Sequence, residues 1–167
     1  MRKSIVHYIA LGGVLAAVAM VIMCFVGLIP VATFISPMIC IMICAIVYRN
    51  CGNRIAWAWY GAVALMSILF APDKESALIF LFLGFYPILK TKFDVGKKTI
   101  SFLLKMSYFN CVIVLMYLLL LRIMGLSELL SEYQKTGFIM GTASVFLGNI
   151  AFFMLDFVLS RILYNKR

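Results

Sequence analysis

Six long apolar runs, separated by short clusters of charge, constrain the fold of this chain more than any other feature. They cover Ile5–Val26, Val31–Tyr48, Ile55–Ala71, Ser76–Leu89, Thr99–Met124 and Gly137–Leu163. A helix needs about 20 apolar residues to cross a bilayer, and a span in lipid must satisfy its own backbone hydrogen bonds. We therefore predict an all-α integral membrane protein. Its six transmembrane helices would form a compact bundle, with residues 1–167 in a single domain.

Composition indicates a lipid environment. Of the 167 residues, 65% are hydrophobic and 13% are charged, against roughly 45–50% and about 25% in soluble domains. The cysteines are odd in number and lie mostly inside apolar runs, which argues against a disulfide-stapled module: Cys24, Cys40, Cys44, Cys51 and Cys111. The net charge is +9, and the basic residues that produce it lie in short loops without interleaved aromatic residues. We therefore expect the chain to lie in the lipid bilayer and to bind no nucleic acid.

The distribution of basic residues predicts both termini in the cytoplasm. With six crossings, three basic residues face outwards, namely Lys74, Arg122 and Lys135, and twelve face inwards. The inner residues, which we place in loops or at the inner ends of helices, are Arg2, Lys3, Arg49, Arg54, Lys90, Lys92, Lys97, Lys98, Lys105, Arg161, Lys166 and Arg167. The fourth run is short, and a re-entrant segment is the alternative, but it would leave six basic residues inside and nine outside. A signal peptide ending at Ala17–Ala19 is disfavoured, because the apolar run continues through Met23.

Enzymatic signatures are absent from the sequence. His7 is the single histidine and is expected at the membrane interface. Cys40 and Cys44 share one helical face, but no second pair of ligands accompanies them, so we interpret them as small packing residues. The sequence contains no Walker-type phosphate loop. We therefore expect no enzymatic activity, no cofactor and no metal.

Small residues four positions apart mark the first run. Gly12 pairs with Ala16, and Gly13 pairs with Ala17. Such pairs let a second helix approach closely. The second helix belongs either to a partner protein or to this chain, and these residues alone do not decide between the two.

Asp156 lies inside the sixth run, where an unpaired charge costs roughly 3 kcal/mol or more. A functional ionisable group is one interpretation. We favour a structural one, with Arg161, Arg49 or Asn110 as its partner. Asn110 and Asn149 are further polar positions that we expect to bond a neighbouring helix.

Charged and aromatic residues converge at the predicted outer end, where a ligand site is plausible. We predict substrate binding by residues of the fourth and fifth helices and the last outer loop: Phe80, Tyr117, Arg122, Glu128, Glu132 and Tyr133. Arg122 suits an anionic group and the glutamates suit a cationic one. The alternative for Arg122 is a side chain that merely extends to the interface. The tip formed by Asp73, Lys74 and Glu75 belongs to the same end.

Turns and small residues carry a family resemblance. The first helix contains the small-residue stretch Ala10–Ala19, the turn Gly27–Pro30 leads into a helix containing Pro37, Gly61–Ala64 lies in the third run, and Gly84–Pro87 ends the fourth. In this pattern the chain resembles the substrate-binding S components of energy-coupling factor (ECF) transporters. Gly12 and Gly13 replace alanines of that family's docking motif. No signature of a particular vitamin is present.

The resemblance implies capture of a vitamin, a precursor or a metal ion from outside. It also implies partners: a T-component membrane protein, which Gly12, Gly13, Ala16 and Ala17 would contact, and two ATPase subunits. The rival interpretation is a non-transporting scaffold of the MreD type in cell-wall machinery, which shares the size and the number of spans. A third is an export or immunity subunit with a lipid or peptide partner.

Overall fold

The computed structural model describes residues 5–26, 34–94, 98–123, 146 and 148–164. Every regular element in these ranges is a helix. In chain order they are α1 (Ile5–Val26), α2 (Ile35–Cys51), α3 (Asn53–Phe70), α4 (Lys74–Leu83), α5 (Tyr86–Phe93), α6 (Lys98–Ile123) and α7 (148–164). The predicted helical class is confirmed for this part of the chain.

Two stretches are long and apolar enough to cross a membrane, judged by length and composition. They are Val6–Phe25 in α1 and Lys74–Phe93, which joins α4 and α5. Ile35–Cys51 and Ile100–Met116 are shorter apolar helices within the described ranges. The count of six crossings therefore stays a prediction.

The fourth apolar run is longer than the sequence indicates. The apolar run predicts a span over Ser76–Leu89, and the family resemblance implies that Gly84–Pro87 ends it. In the structure α4 ends at Leu83, the chain turns at Gly84 and Phe85, and α5 continues to Phe93. Pro87 lies in the first turn of α5, where a missing N–H breaks no helical bond. At 1.5 Å per residue, Lys74–Phe93 is about 30 Å long, the thickness of a bilayer core.

Contacts divide the chain into two compact units. Unit 1 comprises Met1–Val95 and Leu159–Arg167, and unit 2 comprises Gly96–Val158. Within unit 1, α2 contacts each of α1, α3, α4 and α5. Its core contains Met23, Trp59, Phe80 and Tyr86, none of which is more than 4% exposed.

Local chemistry explains the tight connections of unit 1. Gly52 ends α2 with φ 85°, a left-handed value that favours glycine, and its N–H donates to the Tyr48 carbonyl at 3.1 Å. Asp73 caps α4, because its Oδ1 accepts from the Glu75 N–H at 3.0 Å. These residues allow short connections, and α3 contacts both α2 and α4.

Gly84 lies at the closest approach between α3 and the turn that joins α4 to α5. A Cβ there would come within 3.0 Å of both the Phe80 and Tyr60 rings. The Tyr60 hydroxyl also donates to the Leu81 carbonyl next to this turn. Only a residue without a side chain fits, so the turn and the packing of α3 depend on each other.

Candidate functional site

Most of the predicted ligand residues lie beyond what the structure describes. Glu128, Glu132 and Tyr133 are outside the described residues. Tyr117 and Arg122 lie on α6, with side chains outside the described part. The predicted grouping of these residues at one mouth thus stays a prediction.

Phe80 is the one predicted ligand residue with a described side chain. It is 0% exposed, and its ring centroid lies 6.4 Å from that of Trp59 and 6.0 Å from that of Tyr60. Phe85 extends this cluster, with its centroid 5.6 Å from Tyr60 and 6.1 Å from Trp57. Edge-to-face and offset rings of this kind are typical of aromatic packing in a core. In unit 1, Phe80 joins α4 to α3.

The four small residues of α1 do not share one face. Gly13 and Ala17 are exposed, and nothing lies within 4 Å of a Cβ added at Gly13. Gly12 is buried, and a Cβ added there would contact the Ile55 side chain at 3.6 Å. Ala16 is half-buried. The Gly13/Ala17 pair is therefore open to a partner helix, whereas Gly12 packs inside unit 1 against α3.

Asp156 has a cation as its partner within unit 2. The Lys105 Nζ donates to Asp156 Oδ2 at 3.1 Å, and the two side chains are 10% and 15% exposed. Lys105 is not among the partners that the sequence predicts, because the charge distribution places it with the inner basic residues. A signal was present, since Lys105 lies within the fifth apolar run and Asp156 within the sixth.

Two further contacts join the same pair of helices. Asn110 and Asn149 exchange amide hydrogen bonds, at 3.3 Å and 3.4 Å. The rings of Phe109 and Phe152 stack with centroids 4.5 Å apart. The polar pairs thus bond a neighbouring helix as expected, and the contacts set the register of α6 against α7 in an antiparallel arrangement.

A polar cluster missed in the sequence lies at the C-terminal ends of α2 and α5. Lys90, predicted as a loop cation, is 0% exposed within α5, and its Nζ lies 3.5 Å from Asp94 Oδ2. The Tyr164 hydroxyl donates to the same carboxylate at 3.0 Å. A second bond also joins a residue near the C-terminus to this cluster, because Arg49 Nη1 at the end of α2 donates to the Ile162 carbonyl at 2.7 Å. The buried ammonium of Lys90 therefore pairs with the Asp94 carboxylate, which also accepts a hydrogen bond from Tyr164 near the C-terminus.

Three buried polar atoms in the described part of unit 1 lack a hydrogen-bond partner: Ser36 Oγ, Trp59 Nε1 and Asp73 Oδ2. Ser36 lies in the first turn of α2, and Asp73 caps α4. An unpaired buried polar atom costs stability unless something satisfies it. Each of these atoms therefore lowers the stability of unit 1.

The sulfur groups offer no metal centre in the described ranges. All five cysteines are free thiols, and the buried Cys40 thiol donates to the Ala19 carbonyl at 3.5 Å. No group of three or more histidine, cysteine or acidic side chains there is placed to hold a metal ion. His7 is exposed, with its ring 6.1 Å from that of Tyr8.

Comparison with known proteins adds no relative from which a role can be transferred. The chain matches no family model, no curated protein and no solved structure.

Proposed function

We propose that the chain is a multi-pass protein of the cell membrane, with six crossings and both termini in the cytoplasm. The observation that carries this proposal is the surface of α1, where Val6 is 73%, Val14 is 63% and Phe25 is 69% exposed. Soluble proteins rarely expose a contiguous apolar surface of this kind. A bilayer would cover it without cost, and the charge distribution supports the orientation.

A pair of fusion reporters tests the crossings and the orientation. A reporter joined after Arg167 should be active only if it is a type that works in the cytoplasm. The same pair joined within residues 126–136 should give the opposite result. Activity of an extracytoplasmic reporter after Arg167 would contradict the proposed topology.

Within this membrane placement, we propose that the protein is the substrate-binding subunit of an ECF-type importer. It would capture a small micronutrient outside and work with a T component and two ATPases, with no enzymatic activity of its own. The support is the sequence resemblance together with the exposed Gly13/Ala17 pair, because small residues on a free helical face allow close helix–helix docking.

The ligand site proposed for this subunit stays at the outer end. Arg122, Glu128, Glu132 and Tyr133 would supply the polar contacts. A variant carrying both Arg122→Ala and Glu132→Ala should lose binding of any solute that the wild type takes up. Unchanged affinity would remove these residues from the site.

Purification of the intact protein from native membranes in mild detergent tests the importer assignment. The expected companions are one T-type membrane protein and two ATPase subunits. Recovery of cell-wall synthesis proteins without an ATPase would favour the scaffold of the MreD type. If the importer companions are recovered, a small molecule released from the purified protein by denaturation would identify the transported solute.

A further inference from the structure

The buried ion pair of unit 2 joins charges that are far apart in sequence. Lys105 and Asp156 are 51 positions apart, on α6 and α7. Their charged atoms lie 3.1 Å apart, and both side chains are largely withdrawn from the surface. Each charge therefore lies between apolar neighbours of its own helix, Leu104 and Met106 in α6 and Leu155 and Phe157 in α7, and the other helix supplies the opposite charge.

A charge in an apolar helix opposes the entry of that helix into lipid. Lysine can extend along its own helix towards the interface, whereas the short aspartate side chain reaches much less far. Asp156 is therefore the group that most needs its partner at the time of insertion. Lys105 is already present when α7 is synthesised, because α6 comes first in the chain.

The neighbouring contacts provide the alignment that such a pair requires. The Asn110–Asn149 amide pair and the Phe109–Phe152 stack join α6 and α7 close to the ion pair. Gly148 allows close approach, since a Cβ added there would lie 3.7 Å from the Phe109 ring. These contacts require the same alignment of α6 with α7 that places Lys105 next to Asp156.

We propose that α6 and α7 enter the membrane as one charge-paired unit, with Lys105 on α6 enabling the insertion of α7. This inference rests on the proposed membrane placement and is independent of the proposed ligand and partners. It assigns the ion pair a role in assembly beyond the stability of the finished fold. The difference is measurable, because an insertion defect changes topology and a stability defect does not.

Glycosylation of the full chain in microsomal membranes reads the topology of both helices. One acceptor is placed in a linker inserted after Ser131, and a second in a tail after Arg167. The chain itself contains no Asn-x-Ser/Thr sequence, so these are the only acceptors. In the wild type we expect the linker to be modified and the tail to stay unmodified.

The variant Lys105→Leu should shift the ratio of modified to unmodified tail by about tenfold, because Asp156 then enters without the Lys105 ammonium. The double variant Lys105→Leu with Asp156→Leu should return to the wild-type pattern. Lys92→Leu is the matched control, since it removes the same charge from an exposed position on α5. It should leave the tail unmodified.

Three results would overturn the pairing alone: a wild-type pattern in Lys105→Leu, no recovery in the double variant, or an equal shift in Lys92→Leu. Extraction of the wild type by alkaline carbonate, with neither acceptor modified, would overturn the membrane placement and the pairing together. Failure of the importer assignment would leave all of these readouts unchanged.

Discussion

α1 and the α4–α5 stretch are the two segments with the length and composition of a membrane span, yet they differ in position. In Val6–Phe25 only 17% of the apolar window is buried, whereas in Lys74–Phe93 the share is 56%. Hydropathy alone does not separate a peripheral helix from a central one. The marks of the central one are a break at Gly84, the buried Phe80 and the buried Lys90. In a helix that faces lipid, these side chains would contact the acyl chains and would not be buried against other helices.

Matched phenylalanines should separate the two helices most strongly. Phe80→Ala removes a fully buried ring of α4 and should cost about 4 kcal/mol of unfolding free energy. Phe25→Ala removes a ring of α1 that is 69% exposed, and its effect should stay below about 0.5 kcal/mol. Thermal unfolding in detergent provides the comparison, and equal losses would refute the distinction between the two helices.

The next effect concerns the buried cation. Asp94→Asn keeps an acceptor for the Tyr164 hydroxyl but removes the charge that faces Lys90, and should cost about 3 kcal/mol. Replacing both, as Lys90→Met with Asp94→Asn, should recover much of that loss. Chemical denaturation of the single and double variants measures the coupling. No recovery in the double variant would argue against the ion pair.

Glycine substitutions give a smaller and sign-dependent contrast. Gly84→Ala should destabilise the protein by about 2 kcal/mol, because the methyl group meets the Phe80 and Tyr60 rings. Gly13→Ala on α1 has free space and should be neutral or stabilising by up to about 1 kcal/mol. The melting temperature should therefore fall for Gly84→Ala and stay the same or rise for Gly13→Ala, and an equal fall in both variants would show that the glycine environments are alike.

The smallest effect on stability is expected at the exposed small residues. Ala17→Trp should leave the melting temperature of the isolated protein nearly unchanged but abolish co-purification with partner subunits, because the indole holds the helices apart. The half-buried Ala16→Trp should disturb the isolated protein as well. Intact assembly of Ala17→Trp would place the docking surface elsewhere.

The apolar runs predicted the long helices closely. Within the described residues, α1 is helical throughout the predicted run Ile5–Val26, and α6 is helical over Lys98–Ile123, where we predict the run Thr99–Met124. Continuous hydrophobicity is a property of neighbouring residues, so it is readable without a structure. The predicted pairing of Asn110 and Asn149 with a neighbouring helix was likewise readable, because an amide in an apolar run must find a partner.

The differences from the sequence prediction concern where helices end and which residues meet. The sequence places Lys90 in a loop because the fourth apolar run ends at Leu89, and it does not show that Tyr164 reaches Asp94, the residue four positions after Lys90. α4 ends at Leu83 with Gly84 as its C-cap, in agreement with the predicted turn at Gly84–Pro87, but Pro87 lies in the first turn of α5, so the helical chain continues to Phe93. The split between Gly12 and Gly13 required the position of Ile55, which the spacing of small residues does not contain.

The bond from Arg49 to the Ile162 carbonyl has a consequence for biosynthesis, because its two residues are 113 positions apart. A ribosome adding about 5–20 residues per second needs roughly ten seconds to cover that distance. During this interval the end of α2 has been made while its partner has not, and a shorter delay, over 70 positions, separates the synthesis of Asp94 from that of Tyr164. Unit 1 is thus begun first and completed last, so a nascent chain interrupted before Ile162 would lack the bonds from Arg49 to the Ile162 carbonyl and from Tyr164 to Asp94.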